Sequence, residues 1–184
     1  MIVFMVEEKS MYAFLQNILP KLYPQWRERQ NWLCIVHEGK NDLMHSVPRK
    51  LRAWNKPEDQ FVILVDQHSE DCIELKDRLR NLCGENTKRD VLIRIVCREL
   101  EAWFLGDLRA VGSAYADESI PKMQERSKFR QPDKLDNASQ EISSLIKVRG
   151  KVSRAQEIAS CMDISGNRSN SFNVFVNGLR GFVR

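Results

Sequence analysis

Four short runs of consecutive apolar residues punctuate the chain: Met1 to Val6, Trp32 to Val36 (WLCIV), Phe61 to Val65 (FVILV) and Val91 to Val96 (VLIRIV). Runs of five or six residues rich in β-branched side chains, without polar alternation, are expected of strands covered on both faces. Between them the apolar spacing changes to that of helices. Met11, Phe14, Leu15, Ile18 and Leu19 follow Ser10, a candidate N-cap, and run to Pro20. Leu43, Val47, Leu51 and Trp54 form a second stripe, and Pro48 within it predicts a helix that starts near Ser46. Ile73, Leu75, Leu79 and Leu82 form a third, closed by Gly84.

Strands alternating with helices predict an α/β fold with a parallel four-stranded sheet flanked by helices and joined by right-handed crossovers, over residues 1–120. From residue 121 the pattern changes to short helical stretches, Ser139–Val148, Ser153–Met162 and Phe172–Phe182, separated by polar loops. Residues 121–184 are therefore expected to form a C-terminal helical annex packed on the sheet domain.

Charge sharpens this division. Residues 122–184 hold 12 Lys and Arg against 6 Asp and Glu, whereas residues 1–121 hold 17 against 19. A basic tail on an acidic-leaning body suggests a polyanionic partner, against the plainer reading of a solvated helical surface. Lys147, Arg149, Lys151 and Arg154 are the densest basic run, and Gly150 among them lets backbone approach a phosphate. These four are the candidate nucleic-acid-binding residues. No aromatic residue is interleaved with them, which argues against base stacking. Five scattered cysteines without a CxxC pair fit reduced thiols and a cytoplasmic location rather than a disulfide framework. No apolar run approaches the roughly 18 residues of a membrane span, and MIVFMVEEKS lacks the basic start of a signal peptide.

In open α/β sheets ligands bind beyond the carboxyl ends of the strands. There the first run ends in Glu7-Glu8, the third in Asp66-Gln67-His68, and the fourth leads to Glu99 and Glu101. If the first and third strands are neighbours, Glu7 and Asp66 converge with His68 beside them. Clustered carboxylates without a cationic partner suggest a hard divalent cation such as Mg²⁺. An acid after a strand is also a common helix cap, the alternative for any one of them taken singly, Asp71 included. Glu99 and Glu101 are two apart, about 200° on a helix, so one of them is expected to face the site, with Glu101 preferred. Trp103, Phe104 and Leu105 are expected in the core. There is no Walker A loop and no GxGxxG.

These residues resemble a known family. Val6-Glu7, Val65-Asp66 and Glu99 to Asp107 (ELEAWFLGD), with Pro132-Asp133-Lys134, Lys151-Val152 and Ser171-Phe172 in the tail, look like the Toprim-like family filed as domain of unknown function 4276. The resemblance implies a Toprim-like sheet and a metal-dependent nuclease acting on DNA or RNA. It further implies Mg²⁺ or Mn²⁺ as cofactor, and a separate ATPase subunit in anti-phage defence as a partner. Carried over by residue, Glu7 is the acid/base candidate and Asp66 a metal ligand. His68 stands where the family has a second aspartate, as a softer ligand or a general base. Glu101 completes the metal set. The family start also has a glycine and a second acid where this chain has Glu8 and Met11. These departures support an alternative, a catalytically degenerate regulatory or scaffolding subunit. A third reading, a receiver-like phosphoryl-transfer fold, predicts a lysine at a late strand end, where only Arg94 and Arg98 stand.

Overall fold

The computed structural model describes residues 1–84, 90–147 and 150–183. Four parallel strands, β1 (Ile2–Val6), β2 (Trp32–Val36), β3 (Gln60–Asp66) and β4 (Val91–Val96), form one sheet in the order β2-β1-β3-β4. The two central strands are buried along nearly their whole length, which is why their sequences lack polar alternation. Successive side chains point to opposite faces. Val3, Met5, Phe61, Ile63 and Val65 face α2 (Lys40–Ala53) and α3 (Cys72–Gly84), while Phe4, Val6, Val62 and Leu64 face α1 (Lys9–Leu22) and the later helices.

Those later helices are α4 (Leu100–Leu105), α5 (Leu108–Tyr115), α6 (Ala138–Leu145), α7 (Lys151–Cys161) and α8 (Asn170–Phe182), with three 3₁₀ turns at Pro121–Glu125, Ser127–Phe129 and Pro132–Lys134. The chain after residue 121 shares its core with the sheet layer. Phe14 of α1 lies 5.2 Å from Trp103 and 6.2 Å from Phe175 between ring centroids. Lys21 of α1 donates to the carbonyls of Ala159, Ser160 and Met162, satisfying the C-terminal end of α7.

Several element ends differ from the sequence expectation. Helix α1 starts at Lys9 with Glu8 as N-cap, and Ser10 donates its hydroxyl to the Glu8 carboxylate. It also runs past Pro20 to Leu22. Helix α2 starts at Lys40 after Gly39 (φ 108°) and carries Pro48 inside it. Burying Leu43, Val47 and Leu51 along one stripe outweighs the hydrogen bond that proline removes. Helix α6 ends at Leu145; Val148, once expected to end it, and Arg149 lie outside the described residues.

Candidate metal centre

The strand order makes the site. β1 pairs with β3 up to Val6 opposite Leu64, and β3 continues two residues further, to Asp66 opposite Val96 of β4. Glu7 therefore leaves β1 alongside the end of β3, and its Oε2 accepts a hydrogen bond from the Asp66 backbone N–H at 3.0 Å. His68 has a left-handed backbone (φ 54°), a conformation in which His is enriched among non-glycine residues. Its N–H is tied to the Arg98 carbonyl at 2.8 Å, and the turn brings Nε2 back to 3.4 Å from Glu7 Oε1. Ligand atoms of Glu7, Asp66 and His68 all lie within 4.8 Å of one another.

Asp66 is 2% exposed, and its Oδ1 has no hydrogen-bond partner. A buried, unpartnered carboxylate oxygen is costly unless something positive meets it. Burial, then the charges of Glu7, Glu101 and Glu8, hold its carboxyl well above the ordinary aspartate range, with Lys151 opposing. Two carboxylates and an imidazole form a donor set suited to a divalent first-row ion, so the residues fit a metal. Glu7 and Asp66 are the buried donors, and His68 is the solvent-facing one.

Glu101 is buried next to this group, and its carboxyl is pushed up chiefly by burial, with Lys151 and Arg154 opposing. Glu99 and Glu101 both point to the start of α6: Ser139 donates its N–H to Glu99 Oε2 at 3.0 Å and its hydroxyl to Glu101 Oε1 at 3.4 Å. The 200° separation expected of them does not arise, because Glu99 is extended (φ −145°, ψ 157°) and only Glu101 is helical. Asp71 is taken up as a cap, its Oδ1 accepting from the N–H groups of Ile73 and Glu74.

The four basic candidates part company. Lys151 stands at the first turn of α7 with its Nζ 3.7 Å from Glu8 Oε2. Burial lowers its pKa, but Glu8, Glu101, Asp66 and Glu99 outweigh that and hold the ammonium above its usual value. Arg154, one turn later, is 7% exposed, donates to Ser143 Oγ at 2.7 Å and lies 3.8 Å from Glu101. Its guanidinium is turned inward, away from the solvent-facing role expected of it. Lys147 is exposed, and Arg149 lies outside the described residues. Ser139 and the inward role of Arg154 went unseen in the sequence; the three- and four-residue helical spacing of Lys151, Arg154 and Ala155 was the available signal.

The tail residues of the family resemblance form a joint between layers. Asp133 accepts from Ser169 Oγ at 2.6 Å and from the Ser171 N–H at 2.8 Å, and Ser171 Oγ in turn accepts from Trp103 Nε1 at 2.7 Å. Trp103 and Phe172 are fully buried, as expected for the former.

Fold and site together define a parallel α/β domain with an acidic candidate metal centre at the carboxyl end of its sheet. A family model described as domain of unknown function (DUF4276) matches residues 6–180, and the chain belongs to that family. Its fold is similar to that of the C-terminal region of the Burkholderia pseudomallei OLD protein, with a TM-score of 0.51 and 15% identity over 98% of this chain and 97% of that one. No curated protein sequence matches. Among the described residues no helix is long and apolar enough to cross a membrane.

Proposed function

We propose that the protein is a metal-dependent nuclease of Toprim type, hydrolysing phosphodiesters of DNA or RNA at the carboxyl end of β1 and β3. The observation that carries this is the buried, unpartnered Asp66 Oδ1 within a cluster of Glu7 and His68 ligand atoms. Glu7, Asp66 and His68 would hold Mg²⁺ or Mn²⁺, with Glu101 adjoining. A bound divalent ion supplies polarisation of the phosphoryl oxygen and a lowered pKa for a coordinated water. Glu7 orients the His68 imidazole, and the exposed side of that ring is open to exchange a proton with solvent. Lys151 offers a cation beside the acids, able to meet a phosphate that they would otherwise repel. In this reading residues 1–120 provide the chemistry, and residues 121–184 the cationic side and the link to any ATPase partner in a cytoplasmic defence system.

The deciding experiment is cleavage of a labelled oligonucleotide with Mn²⁺ or Mg²⁺. Activity is expected in the parent, abolished by EDTA and by Glu7→Gln. Met11 favours the second reading, a degenerate scaffold: it stands where the family has a further acid and is fully buried in the α1 core. Metal binding by the parent without any cleavage would establish that reading instead.

A related expectation concerns His68→Asp. Asp tolerates the left-handed backbone at this position, so the variant folds. A carboxylate in place of imidazole is a harder ligand and shifts preference from Mn²⁺ toward Mg²⁺. Calorimetry with the two ions checks this; an unchanged preference removes His68 from the metal.

A further inference from the structure

The three 3₁₀ turns between Pro121 and Lys134 carry a charged face that the metal centre does not use. Lys122, Arg126, Lys128, Arg130 and Lys134 are all exposed along it. The four acids between residues 121 and 141 are each already taken. Glu125 pairs with Arg168, Glu141 pairs with Lys128, Asp136 pairs with Arg98, and Asp133 is held in the Ser169–Ser171 joint. Among the described residues Lys122, Arg126 and Lys134 make no ion pair, and Arg130 uses only Nε, on the Glu125 carbonyl. Lys128, Arg130 and Lys134 line an open groove of about 340 Å³ with Ser127, Gln131 and Leu135. Of these, Arg130 and Lys134 have no acidic partner among the described residues, and uncompensated cations on one side of a groove fit a polyanion.

We propose that this face is a second contact surface for the backbone of duplex nucleic acid, feeding the substrate toward the metal centre; it rests on the nuclease reading above. Its position supports that role. Lys134 precedes Ser139 by five residues, and Ser139 touches both Glu99 and Glu101. The intervening turn is fixed to the end of β4 by Asp136 and Arg98 at 2.9 Å. Helix α6, eight residues and so roughly 12 Å long, separates this face from Lys147 and Lys151. One strand of a duplex passes a phosphate every ~3.4 Å, so a few nucleotides span from one cationic group to the other across the acids. Recognition is of backbone rather than bases. In this strap of three 3₁₀ turns the aromatic ring, Phe129, is fully buried and offers no stacking platform.

The test is fluorescence anisotropy of a labelled mixed-sequence duplex across a salt series, in EDTA so that cleavage does not interfere. Three proteins are compared: the parent, Arg130→Ala/Lys134→Ala, and Lys147→Ala/Lys151→Ala. The slope of log affinity against log salt is expected to become shallower by about two units in the first double variant, at ~0.9 per lost phosphate contact, whatever the duplex sequence. An unaltered melting temperature verifies folding, and Lys134→Ala alone, expected to change the slope by about one, serves if the pair does not fold. An unchanged slope in a folded strap variant, with the Lys147/Lys151 variant flattened, overturns this proposal and leaves the nuclease reading standing. Absence of any duplex binding by the parent overturns this proposal, while the nuclease reading is decided separately by the cleavage assay. Tighter binding of poly-glutamate than of duplex at equal salt identifies an acidic protein as the partner and overturns the proposal.

Discussion

Asp66→Asn is expected to abolish stabilisation of the protein by divalent ions while leaving the metal-free protein at least as stable as its parent. In the parent, an ion at a hundred times its dissociation constant adds about 2.7 kcal/mol. For a chain of this size that raises the melting temperature by roughly 5–10 °C. The variant loses the buried donor whose Oδ1 has no protein partner, so its melting temperature should not respond to Mn²⁺ or Mg²⁺. In EDTA the sign reverses. The Asp66 carboxyl is held above its ordinary value in the folded state, first by burial and then by Glu7, Glu101 and Glu8. The folded protein therefore binds that proton more tightly than the unfolded chain does. Stability is fullest where Asp66 is protonated, and falls as pH rises from the ordinary aspartate range through the raised folded value. Glu101, shifted in the same direction mainly by burial, adds to the fall. Asparagine keeps the shape without the charge, so the decline should be smaller in Asp66→Asn and should persist only as far as Glu101 causes it. Thermal melts in EDTA across pH, with and without ions, measure both effects. A large loss of metal-free stability in the variant would make Asp66 a structural residue and remove the case for a metal centre.

Gly106→Ala is expected to be a severely damaging small change outside the site. Gly106 ends α4 with an ordinary backbone (φ −70°, ψ −16°), so conformational freedom does not require glycine there. Space does. A Cβ would fall 1.9 Å from Asn167 Oδ1 and 2.8 Å from the Ser169 backbone nitrogen. Asn167 is buried, donates Nδ2 to the Trp103 carbonyl at 2.9 Å and accepts the Ser169 N–H at 2.8 Å. The Arg168 N–H also lies on the Gly106 carbonyl at 2.9 Å. Alanine must displace Asn167 and the start of α8, whose N-cap is Ser169. Stranded buried polar groups cost about 1–3 kcal/mol each, and overpacking costs a similar amount. A loss of about 3 kcal/mol or more follows, a fall in melting temperature of roughly 6–12 °C. Glu7, Asp66 and His68 belong to the ends of β1 and β3 and make no hydrogen bond to Gly106 or Asn167, so ion affinity of the folded protein should be retained. A melting temperature near that of the parent would show that the loop yields, and that Gly106 is not fixed by packing.

The strands and the acids that end them were legible because both are local. A strand covered on two faces must be apolar throughout, so FVILV announces itself, and the sudden polarity of Asp66 or Glu7 marks where the cover stops. The indole of Trp103 and the stripe of Met11, Phe14 and Leu15 were legible for the same reason, since helical spacing is written in the chain. Helix starts were less so. Helix α1 starts at Lys9, ahead of Ser10, with Glu8 at the N-cap position and no side-chain cap, and α2 runs through Pro48, because packing of whole stripes decides such ends over single residues.

What only the folded chain decided is convergence. Nothing local places β1 beside β3, yet that pairing and its register bring Glu7 to Asp66. The left-handed turn at His68, held by the carbonyl of Arg98 just beyond β4, aims the imidazole at Glu7 rather than along β3. Two basic residues one helical turn apart are divided by the docking of α7 on α1, which turns Arg154 inward to Glu101 and leaves Lys151 at the rim by Glu8. Hydrophobic periodicity is a property of neighbouring residues, whereas these meetings join positions some 30 to 140 residues apart. Their partners are chosen by strand order, register and helix docking, which depend on the entire core packing at once.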